Sequence, residues 1–584
     1  MRVLLLHSED SPQRGAWSRQ RWDLIVDLGK SSPYSQKNWG EQFGCRVLGT
    51  DFFRQGVADA RLVRQIFSAG RGRLLDDEGI DWWDITSLLL VPEALQMLAL
   101  RRVAAEIGHP TELWSTRADW AAGVLATQLG CPLRSFGGGR LVRLGAGVGH
   151  YAGLFRRFSP AQIKQIFLDK YDSGYRWRSR FARQPAGCGQ PVVLLPSAYE
   201  NVSRMAADYA RLLPQQSFLM VATRQSAKRF SAPANVQLRD LAAYAKNVPS
   251  ASEILSLVER CRTLTADLNS VAEMQILSQA GVLDPLPGWI RNGVCARDAW
   301  REVIEREPVC GVLCGDDSNL FTRLPVLLAA RRKIPTADFH HGALDGRYLL
   351  KDLPCDVYLA KTEMERDYLL RVCGLPAEKV VIAAPTVTLV SAATPQDQPA
   401  RQSLIFFSEP YEVMGMRAEE FYGELLPRLL QLARENKRGL IVKLHPFESC
   451  AQRKRLVRNV LGPGDAESVT VLDGPLTAGL LAQAWCGITV DSTTVIECQQ
   501  NGICCFLCGW IRLSPYEYVQ QYARFGIGEW LQDATQIAEI PQRLARFHSS
   551  AAVPTNLATP ADPAILERLL THSVRQFTSA RTKS

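Results

Sequence analysis

Several features that would place this chain in a membrane, secreted or nucleic-acid-binding class are missing from its sequence. No run of about 18 apolar residues is present, so no membrane-spanning helix is predicted. The apolar start from Met1 to His7 is too short for a signal-peptide core and has no cleavage site, so it is predicted to be a buried strand. Dense tracts of lysine and arginine are also absent, and no nucleic-acid partner is therefore expected.

Patterns typical of metal and dinucleotide sites are missing too. The 15 cysteines are scattered through apolar runs, which together with the missing signal peptide indicates reduced thiols in the cytoplasm. Cys505 and Cys508 have the CxxC spacing, but they lie in a strand-like run and no second cysteine or histidine pair stands at zinc-finger spacing. The glycine clusters at 137–139 and 145–149 lack the G-x-G-x-x-G spacing between a strand and a helix. We therefore predict no metal and no cofactor.

The composition is that of an ordinary globular protein, and 584 residues are enough for two large α/β domains. A net charge of +9 permits an anionic partner without requiring one. Strand-like apolar runs alternate with helical patterns, which predicts parallel sheets covered by helices on both faces. The predicted strands include Val3–Leu6, Leu24–Asp27, Arg46–Gly49, Glu112–Ser115, Val192–Leu195, Phe218–Ala222, Val309–Leu313, Thr336–Phe339, Leu404–Phe407, Leu440–Lys443, Val469–Leu472, Gly487–Val490 and Ile503–Leu507.

The polar, proline-containing stretch 391–402 is the predicted linker between two domains. We expect an N-terminal domain at 1–390 with a helical insertion at about 150–185, a C-terminal domain at 403–560, and a helix and tail at 561–584 that crosses back over the first domain. Arginines and aromatic residues alternate over 159–183. An ordinary amphipathic helix is the preferred interpretation of that segment, and a surface for a membrane or a glycan phosphate is the alternative.

Two turns that follow predicted strands are candidates for binding an anion. Asp491-Ser492-Thr493-Thr494 places hydroxyl groups and backbone N–H groups at the start of a predicted helix, where anions are favoured. Thr494 and Glu497 also have the T-x-x-E spacing of a capping box, which is a purely structural alternative. A similar turn at Lys443–Pro446 strengthens the anion interpretation. The predicted donor-binding residues are Ser408, Lys443, His445, Pro446, Ser492, Thr493, Thr494 and Glu497, the last as a ligand of the donor's ribose.

Two other predicted strand ends carry groups that can transfer protons. Asp316 and Asp317 are placed to take a proton from a hydroxyl or, equally, to cap the next helix. His340 and His341 precede Gly342, and histidine titrates near neutral pH, so a general base is predicted there. A structural role remains the alternative for one of the two histidines.

The KLHP of Lys443–Pro446 and the DSTT of Asp491–Thr494 resemble the "HP" and "SS/ST" motifs of a clan of bacterial glycosyltransferases. The clan contains sialyltransferases, capsule Kdo transferases and CDP-glycerol glycerophosphotransferases, and the HHG of His340–Gly342 resembles the H-G turn of the last group. The run from Asp356 to Pro385 resembles the segment that follows this turn in surface-polysaccharide transferases. The resemblance covers mainly residues 309–510.

This resemblance implies the GT-B fold, in which two Rossmann-like domains face each other across a cleft. It also implies that His445, Ser492 and Thr493 bind the donor's phosphate and that the first domain supplies the base. The D/E-D/E-G motif of the sialyltransferases is not clearly present, because Gly315 stands before the two aspartates. The base therefore stays open between His341 and Asp317.

The implied activity is transfer of a sugar from a nucleotide donor, with CMP favoured, to a surface-polysaccharide or glycolipid acceptor without a metal. A CDP-polyol phosphotransferase and a UDP-sugar transferase are close alternatives. More distant ones are a UDP-sugar 2-epimerase and a non-catalytic protein of glycan assembly. The resemblance places the enzyme in the bacterial cytoplasm, in capsule or lipopolysaccharide synthesis, and leaves open peripheral contact with the inner membrane.

Overall fold

The computed structural model describes residues 1–8, 10, 15–30, 32–116, 119–136, 178–183, 185–245, 250–385, 402–511, 515–549 and 562–571. Over these residues the protein is α/β, with three sheets whose strand pairs are all parallel. The predicted class of parallel sheets with Rossmann-like order is confirmed, although three sheets are present where two were expected. The glycine clusters, most of the 159–183 segment and almost all of the predicted linker lie outside the described residues.

The strands agree closely with the predicted ones because buried parallel strands appear in the sequence as continuous apolar runs. Three short strands at sheet edges, Leu133–Ser135, Val236–Asp240 and Glu529–Leu531, were not predicted. The five-stranded sheet contains β1 (Arg2–Leu6), β2 (Leu24–Asp27), β3 (Arg46–Gly49), β4 (Glu112–Ser115) and β5 (Leu133–Ser135). The seven-stranded sheet contains β6 (Val192–Ser197), β7 (Ser217–Ala222), β8 (Val236–Asp240), β9 (Val309–Cys314), β10 (Thr336–Asp338), β11 (Val357–Ala360) and β12 (Val380–Ile382). The six-stranded sheet contains β13 (Ser403–Phe407), β14 (Gly439–Lys443), β15 (Val469–Leu472), β16 (Ala484–Thr489), β17 (Cys505–Cys508) and β18 (Glu529–Leu531).

Helices connect the strands, and their ends carry the expected signals. For example, the first begins after the N-cap Ser32, with proline next, and ends at Gly44 in the left-handed conformation. The described helices are α1 (Pro33–Phe43), α2 (Val57–Ser68), α3 (Trp82–Thr86), α4 (Val91–Ile107), α5 (Trp120–Leu129), α6 (Glu200–Leu212), α7 (Ala251–Leu268), α8 (Ala272–Gln279), α9 (Leu286–Arg306), α10 (Leu320–Arg331), α11 (Arg347–Leu350), α12 (Glu363–Arg371), α13 (Ala418–Glu435), α14 (Cys450–Leu461), α15 (Pro463–Ala466), α16 (Ala478–Ala482), α17 (Thr494–Gln500), α18 (Tyr518–Arg524), α19 (Ile540–Ser549) and α20 (Pro563–Thr571).

The chain forms two compact units that do not follow the expected division at residue 390. The five- and six-stranded sheets share one unit, drawn from within 1–59, 95–145 and 388–557, and the seven-stranded sheet forms the other. Arg417, just before α13, helps to join the two sheets of the first unit. Its guanidinium makes two 2.9 Å hydrogen bonds to the Asp27 carboxylate and donates to the His7 carbonyl at 2.6 Å. Such a long-range buried ion pair has no signature in the local sequence.

The C-terminal helix returns to the seven-stranded sheet, as predicted. Leu566, Leu569 and Leu570 of α20 are buried in the core of that sheet, although the chain has passed through the whole six-stranded sheet in between. Gly311 of β9 permits this close approach, because a Cβ atom there would lie 1.8 Å from the Leu570 carbonyl oxygen. Among the described residues no helix is long and apolar enough to span a bilayer.

Candidate functional site

Each of the three sheets has a switch point, where the strand order reverses direction and a crevice opens at the carboxyl ends. The order β15-β14-β13-β16-β17-β18 places this point between β13 and β16. In the seven-stranded sheet it lies between β6 and β9, and in the five-stranded sheet between β1 and β4. Ligands of open α/β folds bind at such points, so the residues that follow these strands define the candidate sites.

At the switch point of the six-stranded sheet, the end of β13 is hydrogen-bonded to both predicted anion turns. Ser408 donates to Glu448 Oε1 at 2.8 Å, and Glu448 Oε2 accepts the backbone N–H of His445 at 2.7 Å. The next residue, Glu409, accepts the backbone N–H of Asp491 at 2.9 Å. Two consecutive residues therefore link the KLHP turn and the DSTT turn into one assembly.

The His445 side chain is held as a neutral hydrogen-bond donor. Its Nδ1 atom accepts the backbone N–H of Phe447 at 3.2 Å, which leaves the ring proton on Nε2. Burial and the neighbouring Lys443 lower the pKa of His445 to about 4. Phe447 is 62% exposed, and its ring centroid lies 5.0 Å from that of His445. The turn thus presents an N–H donor beside an exposed aromatic face.

Three other predicted donor-binding residues of this edge differ in how they are placed. The Lys443 ammonium group donates to the carbonyls of Leu444 at 2.9 Å and Gly474 at 2.6 Å, so it stabilises the loop. Ser408 is buried, and its hydroxyl lies 2.8 Å from that of Tyr422. Pro446 is exposed.

The DSTT turn is open and partly exposed. Helix α17 begins at Thr494 after Thr493, whose side chain makes no capping hydrogen bond, and Ser492 Oγ accepts the Thr494 N–H at 3.3 Å. The structure thus places the N-cap one residue before the Thr494 of the predicted capping box. Thr494 Oγ1 is buried without a hydrogen-bond partner among the described residues, and the predicted ribose ligand Glu497 is partly buried one turn along.

Asp491 belongs to a carboxyl pair with Glu409. Burial and the adjacent Glu409 carboxyl group raise the pKa of Asp491 well above its usual range. Asp491 and Glu409 hydrogen-bond to each other, so the pair holds a proton more readily than an isolated aspartate does. This shift matters because a fully ionised pair would repel a phosphate at the same turn.

At the switch point of the seven-stranded sheet, Asp317 lies in a buried network of ion pairs. Its carboxylate accepts hydrogen bonds from the Lys351 ammonium group and, at 3.1 Å, from Arg323 Nη1. Burial opposes ionisation of this carboxyl group, but Lys351 and Arg323 prevail and hold the pKa of Asp317 below its usual value. Asp317 is consequently ionised and fully engaged, which makes it a weak base.

Arg347 connects Asp316 to His340. Its Nη1 atom donates to Asp316 Oδ1 and to Ser318 Oγ, both at 2.6 Å, and its Nη2 atom lies 3.3 Å from His340 Nε2. A guanidinium group only donates, so His340 Nε2 accepts and its lone pair is occupied. Burial and Arg347 also lower the pKa of His340. His340 therefore cannot readily take up a proton.

His341 differs from the other three predicted catalytic residues because its side chain is partly exposed, whereas theirs are buried. The loop that carries it is fixed by Lys361, whose ammonium group donates to the carbonyls of His340 at 2.9 Å and Gly342 at 2.7 Å. The geometry leaves His341 as the group of the four best placed to meet a substrate.

Sequence reasoning missed the residues that set these chemical states. Glu409 and Glu448 connect the two turns of the six-stranded sheet, and Arg347 and Lys351 neutralise the aspartates of the seven-stranded sheet. Glu409 lies two residues after the end of a predicted strand, which is a usable signal. Arg347 and Lys351 have no such signal in the sequence, because only the folded chain brings them to Asp316 and Asp317.

The five-stranded sheet carries a third polar group at its switch point. His7, after β1, lies 3.2 Å from Ser115 Oγ through Nε2 and 3.2 Å from Asp119 Oδ2 through Nδ1. This resembles the order of a serine nucleophile, a base and an orienting acid. Ser115 is wholly buried, however, so the group holds the loop and presents no nucleophile. No cluster of three potential metal ligands occurs among the described residues.

No protein-family model and no curated protein matches this chain. Similar solved structures include the S. aureus MnaA–UDP co-structure, which is 13% identical over 67% of this chain and 97% of its own, with a TM-score of 0.40. A UDP-GlcNAc 2-epimerase from Methanocaldococcus jannaschii in complex with UDP-GlcNAc and UDP is 11% identical over 67% and 100%, with a TM-score of 0.39. A glycosyltransferase from Rickettsia africae ESF-5 is 11% identical over 68% and 98%, with a TM-score of 0.37. At these sequence identities and TM-scores the similarities do not support any conclusion about activity.

Proposed function

We propose that this protein is a nucleotide-sugar-dependent glycosyltransferase of the GT-B type that holds the donor's phosphate at the carboxyl edge of the six-stranded sheet. The observation that carries this proposal is the linkage of two anion turns to one strand end. Ser408 and Glu409 fix the KLHP and DSTT turns at the switch point, where α/β folds bind ligands.

The side chains at this edge suit a departing nucleotide. When the bond between sugar and phosphate breaks, negative charge develops on the phosphate, and fixed donors aimed at it lower the barrier. We assign that role to the Nε2–H of His445 and to the hydroxyl groups of Ser492 and Thr493. The raised pKa of Asp491 lessens the negative charge that would oppose this role. The exposed ring of Phe447 offers a stacking surface for the nucleobase.

We assign the general base to His341. An acceptor hydroxyl has a high pKa and needs a base in the transition state. Asp317 is ion-paired with Lys351 and Arg323, and the accepting nitrogen of His340 is occupied by Arg347, so neither is ready to accept a proton. His341 is the remaining candidate that is partly exposed.

The finer assignment is a CMP-linked donor and a surface-polysaccharide or glycolipid acceptor, and it rests on the KLHP and DSTT motifs. The nucleotide sugar is the substrate, and the proposal includes no cofactor or metal. The enzyme would work at the cytoplasmic side, where nucleotide sugars are made.

Nucleotide binding tests the donor site. A thermal-shift screen of CMP, CDP, UDP and GDP should show stabilisation, with the largest shift for CMP. His445→Ala should weaken binding of that nucleotide about 10- to 100-fold, because a hydrogen bond to a charged group contributes about 1.5–3 kcal/mol. The matched control is His109→Ala, since His109 is an exposed histidine outside these turns. Equal affinity in His445→Ala and the wild type, or no response to any nucleotide, would refute the donor site.

Transfer assays then test the base. His341→Ala should lower kcat about 10²- to 10⁴-fold while leaving the nucleotide affinity unchanged. Consumption of the donor without any acceptor would instead identify an epimerase, and normal turnover in His341→Ala would remove the assigned base.

A further inference from the structure

A cavity of about 500 Å³ lies in the unit that contains the seven-stranded sheet, apart from the switch point of that sheet. Its walls come from 178–183 and Pro185, from the short turn at 225–228 and from the end of β8 with the residues after it. Arg178, Arg183, Lys228 and Arg239 line it, with Asp240 as the carboxylate in the wall. The described end of the predicted arginine-aromatic segment thus borders an open pocket with a basic lining.

Asp240 does not make this cavity acidic. Its oxygens accept hydrogen bonds at 2.5 Å from Arg178 and from Lys228, and at 2.9 Å from the Ala242 N–H. Burial disfavours the ionised form, yet Lys228 and Arg178 hold the pKa of Asp240 below its usual value. The carboxylate is fully engaged, and its effect is to fix two cations in the wall.

The cavity carries an excess of positive charge. Arg239 is balanced by Glu307, which it contacts at 2.6 Å. Arg180 and Arg183 are exposed and form no ion pair with any residue that the structure describes. Arg183 lines the cavity and Arg180 lies three residues before it, so among the described residues four lining cationic side chains stand against the carboxylates of Asp240 and Glu307. Phe181, between the two exposed arginines in sequence, is 73% exposed.

From these features we infer that the cavity binds a phosphate-bearing ligand. The planar fork of arginine matches the oxygens of phosphate, and a doubly charged phosphate or diphosphate offsets the surplus charge. Two fixed cations form the wall, and the exposed Arg183 can fold over a bound group. The volume suits a phosphorylated headgroup or a small phosphate ester. Phe181 adds an apolar contact of the kind that a lipid-borne phosphate would use.

Calorimetry with inorganic pyrophosphate at low salt tests this site. The measurements use the full chain carrying His445→Ala, so that the proposed donor turn does not contribute to the signal. Pyrophosphate should bind, and the added pair Arg180→Ser and Arg183→Ser should weaken binding at least about tenfold. The matched control is Arg458→Ser, because Arg458 is an exposed arginine on α14 of the other unit. This variant should bind pyrophosphate as the parent does.

Flotation with vesicles separates the two sources of the phosphate. Retention on vesicles that contain phosphatidylglycerol, but not on pure phosphatidylcholine, with loss in the double arginine variant identifies a lipid headgroup. Pyrophosphate binding without flotation identifies a soluble phosphate ester. Equal pyrophosphate affinity in the double variant and its parent, or no binding to pyrophosphate and vesicles alike, overturns the inference.

Discussion

At the carboxyl edge of the seven-stranded sheet Asp317 is surrounded by cations, whereas at the edge of the six-stranded sheet Asp491 contacts a second carboxyl group, Glu409. Both aspartates follow strands closely and carry similar local signals. Lys351 and Arg323 lower the pKa of Asp317, whereas burial and Glu409 raise the pKa of Asp491. The same residue type in the same local setting therefore has its pKa shifted in opposite directions.

The two ways of accommodating a buried carboxyl group have different consequences for function. Moving a carboxylate out of water is unfavourable unless it is paired with a cation or takes up a proton. The cation network engages Asp317 on every side and makes it a structural element. The carboxyl pair, with the raised pKa of Asp491, carries less negative charge than two ionised carboxylates would, which favours an anion at Ser492 and Thr493.

The largest expected effect comes from breaking the cation network. Lys351→Met leaves Asp317 buried with less of its compensating charge, and loss of one partner of a buried ion pair costs about 3–5 kcal/mol. Urea denaturation should show this loss in the free energy of unfolding. The double variant Lys351→Met with Asp317→Leu should recover part of it, because no unpaired charge remains. A loss below about 1 kcal/mol in the single variant would contradict the network.

A change of pH is expected to have an intermediate effect on the free energy of unfolding, with opposite signs for Glu420 and Asp317. Burial, together with Asp27, raises the pKa of Glu420 in α13 from 4.5 to about 7 although Arg417 opposes the shift. Its stabilising contribution is therefore complete below about pH 4.5 and is lost as the pH rises through 7. Asp317, with its lowered pKa, contributes above its unfolded-state pKa and loses that contribution only in acid.

Unfolding measured in urea at pH 5, 6, 7 and 8 tests this difference. The unit that contains α13 should lose about 2 kcal/mol between pH 5 and pH 8. Glu420→Gln should flatten the profile, because glutamine does not titrate. A wild-type profile that rises over this range would show that the carboxyl group is ionised in the folded protein.

The sequence was sufficient to predict those features whose signal lies in neighbouring residues. The strand ends, the two turns and the histidine loop all lie where the apolar runs predicted them, because a buried strand and the turn after it are adjacent in the chain. The residues that contact these features from distant parts of the chain could not be predicted from the sequence. Glu409 reaches Asp491 across 82 residues, and Arg417 reaches Asp27 across 390. The Arg417–Asp27 contact also joins the five-stranded sheet to the six-stranded one, against the expected division at residue 390.

Sequence patterns also could not choose between the two candidate bases. Asp317 and His341 are equivalent as strand-end residues, and only the folded structure shows that Asp317 accepts from Lys351 and Arg323. Similarly, Lys443 looks like a phosphate ligand in the sequence, yet its ammonium group is directed to backbone carbonyls. A sequence shows which groups reach a strand end, and the fold decides which of them remain available.

The smallest expected effect, on stability, comes from Asp491→Asn. The pKa of Asp491 is raised and its carboxyl group hydrogen-bonds to Glu409. An asparagine of nearly the same shape can donate to Glu409 too, so the free energy of unfolding at pH 7 should change by less than about 1 kcal/mol. Nucleotide affinity should be nearly unchanged at pH 7. At high pH the wild-type pair loses its proton and should repel phosphate, while the variant should keep its affinity. A large loss of stability at pH 7 would mean that Asp491 is ionised there, which would make the two sheet edges alike.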